Sequence, residues 1–354
     1  MVMIVVVGLA VGMIPQRWLR IPEPIALLVV GALMRALLGA NADDASLKIV
    51  AYIGLFALLF GVGVELSDLG HRPLTPRGLG LASIGAVVLG LVGFTLLALQ
   101  RAAGLSELAL IMSAIPTSAG IAARLLRPHG TGERSGYPII ISAAVADDFF
   151  GIALLVLAPM LAAGTTLGLT SSPSIALAAS FVVVGAMLLM RPKTNLLIFV
   201  KVIALTIVGL ACGVSAALLG VFDGHETAHH LGATSRRWLT ILERLLPTMF
   251  FMAAGYEIRL PLLAHADVLT SAGLILIALL ISRFAIGAAT PGELHVRIAV
   301  GAGMLARGEV TIAMALVFLQ SHILSNTDYA ILMTVVLGST IISGLVLRLN
   351  RLRR

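Results

Sequence analysis

Apolar residues run along this chain in blocks separated by short polar breaks. The blocks fall at 2–15, 24–40, 46–65, 78–100, 106–127, 137–163, 174–190, 195–211, 213–224, 240–258, 266–290, 296–320 and 327–348. A helix needs about 20 apolar residues to cross a bilayer, whereas a barrel strand needs about ten of alternating character. Most blocks have the first length and no alternation, so the pattern predicts an all-α integral membrane protein of about thirteen transmembrane helices. The block at 2–15 is short for a span. The stretch 195–224 reads either as one long helix or as two short ones turning near Cys212 and Gly213.

Charge settles that choice. Arg17, Arg20, Arg72, Arg77, Arg124, Arg127, Arg134, Arg191, Lys193, Arg236, Arg237, Arg297 and the tail Arg351, Arg353 and Arg354 fall on one side only if 195–224 crosses twice. The opposite loops carry Asp43, Asp44 and Asp328, with Arg259 as an exception. Basic residues mark the cytoplasmic face of inner-membrane proteins, which puts the N-terminus outside and the C-terminus in the cytoplasm.

Composition agrees. The chain is 59% hydrophobic and 12% charged, against roughly 45–50% and 25% in soluble domains. A water-soluble core has too little volume to hide that much apolar surface, so lipid is the main partner. The net charge of +7 follows from the loop arginines and does not point to nucleic acid. Cys212 is a lone thiol in an apolar run, and the first run, from Val2, has no basic residues before it and does not read as a cleavable signal peptide. The longest polar stretch, about Asp223 to Arg237, is only a loop. Residues 1–354 therefore read as one membrane transporter domain with no soluble regulatory part, built from two related halves at about 24–163 and 195–348.

Ionisable groups inside spans are costly, about 2.5–3.5 kcal/mol each, and mark function. Asp147 and Asp148 stand in SAAVADDFFGIALL, about ten residues into their block. Neighbours on a helix point about 100° apart, so one faces an ion pathway while the other meets a partner. A carboxylate in a low-dielectric passage holds protons more tightly, and a cation on the same oxygens displaces them.

Two blocks look interrupted. One has Pro116 near its centre, followed by Thr117, Ser118 and Gly120; the other has Gly301, Gly303 and Gly308 around Arg307 and Glu309. Broken helices at matching places in two halves are the sequence mark of a transporter's midplane site. Arg283, deep in ALLISRFAIGAA, needs an anion, and Asp147 is the first candidate. Arg307 and Glu309 face different ways on an intact helix, so each needs its own partner or an unwound backbone. Glu65, Asp68, Glu257 and Arg259 read as interfacial, Lys201 as snorkelling, and His225, His229 and His230 as solvated loop residues. No nucleophile–base pair or metal-ligand cluster marks an enzyme.

At these residues the chain resembles the monovalent cation/proton antiporter superfamily, the sodium/hydrogen exchangers, in its bacterial branch with an Asp-Asp motif. The stretches that carry the resemblance are IGLFALLFGVGVEL (53–66), AIPTSAGIAARLL (114–126), SAAVADDFFG (142–151), LLPTMFFMAAGYEIRL (245–260), ISRFAIGA (281–288) and GMLARGEV (303–310), in family order. The resemblance implies an inverted-repeat fold with two crossed discontinuous helices, a dimerisation part, a core part that moves like an elevator, and a homodimer. It assigns ion and proton binding to Asp148, with Asp147 as a second carboxylate paired to Arg283. It sets Thr117 and Ser118 at the first unwound stretch, and Arg307 and Glu309 on the second crossing helix. Transported Na⁺, Li⁺ or K⁺ and H⁺ take the place of any cofactor. Relatives with paired aspartates often carry lysine where Arg283 stands; arginine does not deprotonate, which speaks against two-proton stoichiometry and leaves electrogenic and electroneutral exchange both open. A sodium-coupled organic-anion symporter of similar fold, with Arg307 as its anion group, and a non-transporting sensor or channel subunit are the competing readings.

Overall fold

A computed structural model describes residues 6–8, 10, 23–39, 44–69, 75–101, 104–118, 142–148, 150–151 and 233–352. All regular structure among the described residues is helical. In chain order the helices are α1 (Glu23–Leu38), α2 (Asp44–Leu69), α3 (Pro76–Gln100), α4 (Leu105–Ser113), α5 (Ala233–Glu257), α6 (Ala266–Ala289), α7 (Leu294–Gly303), α8 (Glu309–Gln320) and α9 (Asn326–Leu352). A further helical run covers 142–148, and a 3₁₀ turn spans Leu260–Ala264. Pro76–Gln100, Ala266–Ala289 and Asn326–Asn350 are each long and apolar enough to cross a membrane. The predicted spans at 174–190, 195–211 and 213–224, with Cys212, Lys201 and the three loop histidines, lie outside the described residues.

Several helices overrun their apolar blocks. α5 begins at Ala233 and takes in Arg236 and Arg237, which the polar pattern placed in a loop. α2 and α9 likewise extend into polar residues at their ends. A backbone leaving hydrocarbon keeps its internal hydrogen bonds until water can replace them, so hydropathy marks the lipid boundary rather than the helix end.

The chain folds into two compact units, Met1–Gly70 with Val156–Glu257, and His71–Leu155 with Ile258–Arg354. In the first, α5 packs against both α1 and α2. The α1–α5 contact is made by glycines: a Cβ on Gly31 would run into the Met252 carbonyl, and one on Gly255 into the Leu28 carbonyl. Small residues let membrane helices approach backbone to backbone. Arg35 ties the helix ends together, donating to the Tyr256 carbonyl at 2.8 Å and reaching Glu257 at 3.5 Å. Glu257 is thus ion-paired.

In the second unit α6 packs on α3, α7 and α9, while α8 packs on α4 and α9. Its core holds Leu81, Ala143, Ile286, Val300, Met304 and Leu347. Thr75 caps α3, its hydroxyl accepting from Gly78 N–H at 3.0 Å. The same hydroxyl lies 2.9 Å from Ser142 Oγ, which pins the start of the 142–148 helical run.

Candidate functional site

Helical hydrogen bonding stops at both predicted interruptions. α4 stops at Ser113, and residues 116–118 have no helical hydrogen bonding. Pro116 lacks a donor and disfavours helix in the preceding residue. α7 stops at Gly303 and α8 starts at Glu309, leaving 304–308 unwound. The two open segments join by a main-chain bond, Ser118 N–H to Ala306 O at 3.2 Å.

Opening a helix inside a membrane exposes carbonyls that lipid cannot satisfy. Side chains from several elements cover them here. Arg283 Nη2 donates to Ile115 O at 2.6 Å, and Arg307 Nη1 to Pro116 O at 2.9 Å. From α9, Ser343 donates to Ala302 O at 2.6 Å and Thr340 to Arg307 O at 3.3 Å. The α9 hydroxyls were not singled out from the sequence. Hydroxyls spaced three apart in an otherwise apolar helix are the available signal, since they must meet something polar.

The Asp147 carboxylate sits among these segments and is wholly buried. Its Oδ2 accepts from Thr117 Oγ1 at 2.6 Å and from Arg283 Nη1 at 2.7 Å. Arg307 Nη1 donates to Thr117 Oγ1 at 2.7 Å. Thr117 therefore bridges a carboxylate and a guanidinium through one hydroxyl, accepting from Arg307 and donating to Asp147. Among the described residues, Asp147 Oδ1, Arg307 Nε and Arg307 Nη2 have no hydrogen-bond partner. Ser118 Oγ donates to Glu309 Oε2 at 2.5 Å. The unwound turn thus supplies separate partners for Arg307 and Glu309, as their spacing required.

Asp148 follows Asp147 on the same helical run but is only half-buried. The two acids thus have different surroundings: Asp147 is fully enclosed by a fixed cation and a hydroxyl, and Asp148 is less enclosed. Gly85 was also not foreseen. A Cβ there would come within 2.8 Å of Arg283 Nη1, and Ser282 donates to the Gly85 carbonyl at 2.7 Å. Glycine on α3 therefore makes room for the guanidinium that faces Asp147.

Carboxylates, hydroxyls and freed carbonyls are the hard oxygen donors that replace the hydration shell of small cations. Two open segments joined beside two adjacent acids, one of them wholly buried, suit a cation that must bind and leave.

The chain matches the transmembrane region of the sodium/hydrogen exchanger family over residues 2–200 and 193–349. It is 26% identical over 328 residues to the high-affinity Na⁺/H⁺ antiporter NhaS3 of Synechocystis sp. (strain ATCC 27184 / PCC 6803 / Kazusa), covering 84% of this chain and 70% of that protein. Its fold is similar to the sodium proton antiporter MjNhaP1 from Methanocaldococcus jannaschii at pH 8, with a TM-score of 0.67, 17% identity, and coverage of 98% of this chain and 94% of that one. The chain belongs to the transmembrane sodium/hydrogen exchanger family and is a multi-pass membrane transporter, not an enzyme, exchanging a monovalent cation for protons.

Proposed function

We propose that Asp148 is the group on which cation and proton alternate, with Na⁺ as the physiological cation. The observation that carries this is the contrast between neighbours: Asp147 is locked by Arg283 and Thr117, whereas Asp148 is half-buried. The relative from Synechocystis is a Na⁺/H⁺ antiporter by name, which favours Na⁺ over Li⁺ and K⁺. Thr117 and Ser118 lie beside the ion path, Arg283 and Arg307 balance the buried negative charge, and Glu309 braces Ser118. The cycle needs no covalent step. A proton leaves the Asp148 carboxyl, a partly dehydrated cation takes its place, and the conformational change that follows exposes it to the other side. Proton or cation occupancy, but not the empty charged state, permits that change, which enforces exchange.

The same reading takes the protein as a plasma-membrane homodimer, with the N-terminus outside and the C-terminus in the cytoplasm as the basic loops indicate. It also takes the two broken helices as counterparts in halves 24–163 and 195–348. Family membership does not favour the organic-anion symporter or the sensor and channel readings.

Reconstituted protein with an imposed pH gradient tests the proposal. Na⁺-driven dissipation should vanish in Asp148→Asn while the purified variant melts like the wild type. Unchanged exchange in Asp148→Asn overturns it. Because proton and cation compete for one carboxylate, the apparent KM for Na⁺ should rise as pH falls, by about tenfold per unit where protonation dominates.

A further inference from the structure

A second buried ion cluster lies where α3, α4 and α9 meet, and the exchange chemistry above does not use it. Arg101, immediately after α3, reaches Glu107 Oε1 at 3.2 Å through Nε and Asp328 Oδ1 at 2.8 Å through Nη1. The Asp328 contact is an ion pair by distance, with the N–H not aimed at the oxygen. Both acids are almost fully enclosed, Glu107 at 4% and Asp328 at 3% exposure, whereas 29% of the Arg101 side chain is exposed. Asp328 also closes the first turn of α9: its Oδ2 accepts from Ser325 N–H at 3.0 Å and Ser325 Oγ at 2.7 Å, and its own N–H donates to Ser325 Oγ at 3.2 Å. Ser106 Oγ donates to the other oxygen of Glu107 at 3.0 Å. Next to Arg101, Gln100 Oε1 accepts from Ser271 of α6 at 3.2 Å.

The placement matters more than the ion pairs. Glu107 is in the first turn of α4, a nine-residue helix about 14 Å long, which ends at Ser113, shortly before the Pro116–Ser118 segment. Asp328 opens the helix whose Thr340 and Ser343 cover the carbonyls of the other break. Arg101 is therefore the tie between the far ends of the two elements that present the open segments to each other. The end of α4 beside the break is held by Arg283 on Ile115 O, Arg307 on Pro116 O and the Ser118 N–H bond to Ala306 O; the ion pairs of Arg101 hold the opposite end. Without them α4 is anchored at one end only by packing, and the angle at which it delivers Thr117 to Asp147 is less well fixed.

We propose that Arg101 is a positioning residue for cation exchange, fixing the first open segment through Glu107 and Asp328. The inference rests on the reading of Thr117 and Ser118 as site residues. Losing Arg101 misplaces oxygens that contact the bound cation, so the effect falls on cation affinity before turnover. Displacements of an ångström originating away from the site are costly to function.

The test is Na⁺/H⁺ exchange in proteoliposomes with Arg101→Gln, Arg101→Lys and the double variant Arg101→Gln/Glu107→Gln. The double variant removes one of the two acids that Arg101→Gln leaves uncompensated, so it should be the more stable of the two. Expected are an apparent KM for Na⁺ raised about tenfold in both Gln variants with kcat within about twofold, and substantial recovery in Arg101→Lys. A wild-type KM in the folded double variant overturns the proposal. So does an activity loss that only follows the amount of folded protein, with KM unmoved. Normal exchange by Asp148→Asn instead brings down the assignment of the ion-carrying acid, whatever Arg101 does, so the two failures are told apart.

Discussion

Arg283 and Asp147 face each other at 2.7 Å with neither side chain exposed. Arginine stays charged in proteins, so the partner of Asp147 has no proton to release. On the proposed reading, Asp148 alone cycles. Exchange should then be electroneutral, one proton for one cation. Clamping the membrane potential with valinomycin and K⁺ should leave the rate of Na⁺-driven proton movement unchanged. A rate that follows the imposed voltage would count against a single cycling acid.

Arg283→Gln strands a buried carboxylate, which costs about 3–5 kcal/mol when one partner of a buried pair is removed. A large fall in Tm is the expected result. Arg283→Lys keeps the charge but gives up the fork that also holds Ile115 O. It should lose less stability and acquire voltage-dependent exchange, because lysine can release a proton when the pair opens. Calorimetry and the voltage-clamped assay together distinguish these outcomes.

Thr117 should be replaceable by serine and not by valine. Valine keeps the shape but leaves Arg307 Nη1 and Asp147 Oδ2 each short of a partner. A buried polar group deprived of its bond costs about 1–3 kcal/mol, more when charged. Thr117→Val should cut exchange at least tenfold, by about the same reasoning, with Thr117→Ser near wild type in the flux assay.

Two glycines on one helix give an internal control. Gly85→Ala pushes a methyl against Arg283 Nη1 and Ile286, whereas a Cβ at Gly80 meets nothing within 4 Å. Overpacking costs about 1–3 kcal/mol, so Gly85→Ala should lower Tm and exchange together. Gly80→Ala should do neither.

The sequence made the breaks legible because proline and clustered glycine act locally. Pro116 and Gly303–Gly308 mark where a helix stops, whatever packs around them. The pairing of Arg283 with Asp147 was also readable, since a guanidinium in an apolar block needs an anion. The role of Thr117 as a bridge was not, because it depends on Arg307 arriving from a segment 190 positions away. The Arg101 tie was hidden for a different reason. Arg101, Glu107 and Asp328 lie near block ends, where charge is cheap and ordinary, and their burial arises only when α4 and α9 meet. Gly85 looked like any packing glycine until the guanidinium beside it was placed.

The glycine contact between α1 and α5 has a mechanical consequence. Where Gly31 and Gly255 bring main chain against main chain, there are no rotamers to re-sort and so no neighbouring register to slip into. Sliding along that line would drive Cα atoms into carbonyl oxygens at once. The pair therefore behaves as a stiff beam, and the deformation that carries an ion across has to be taken up by some other joint of the molecule.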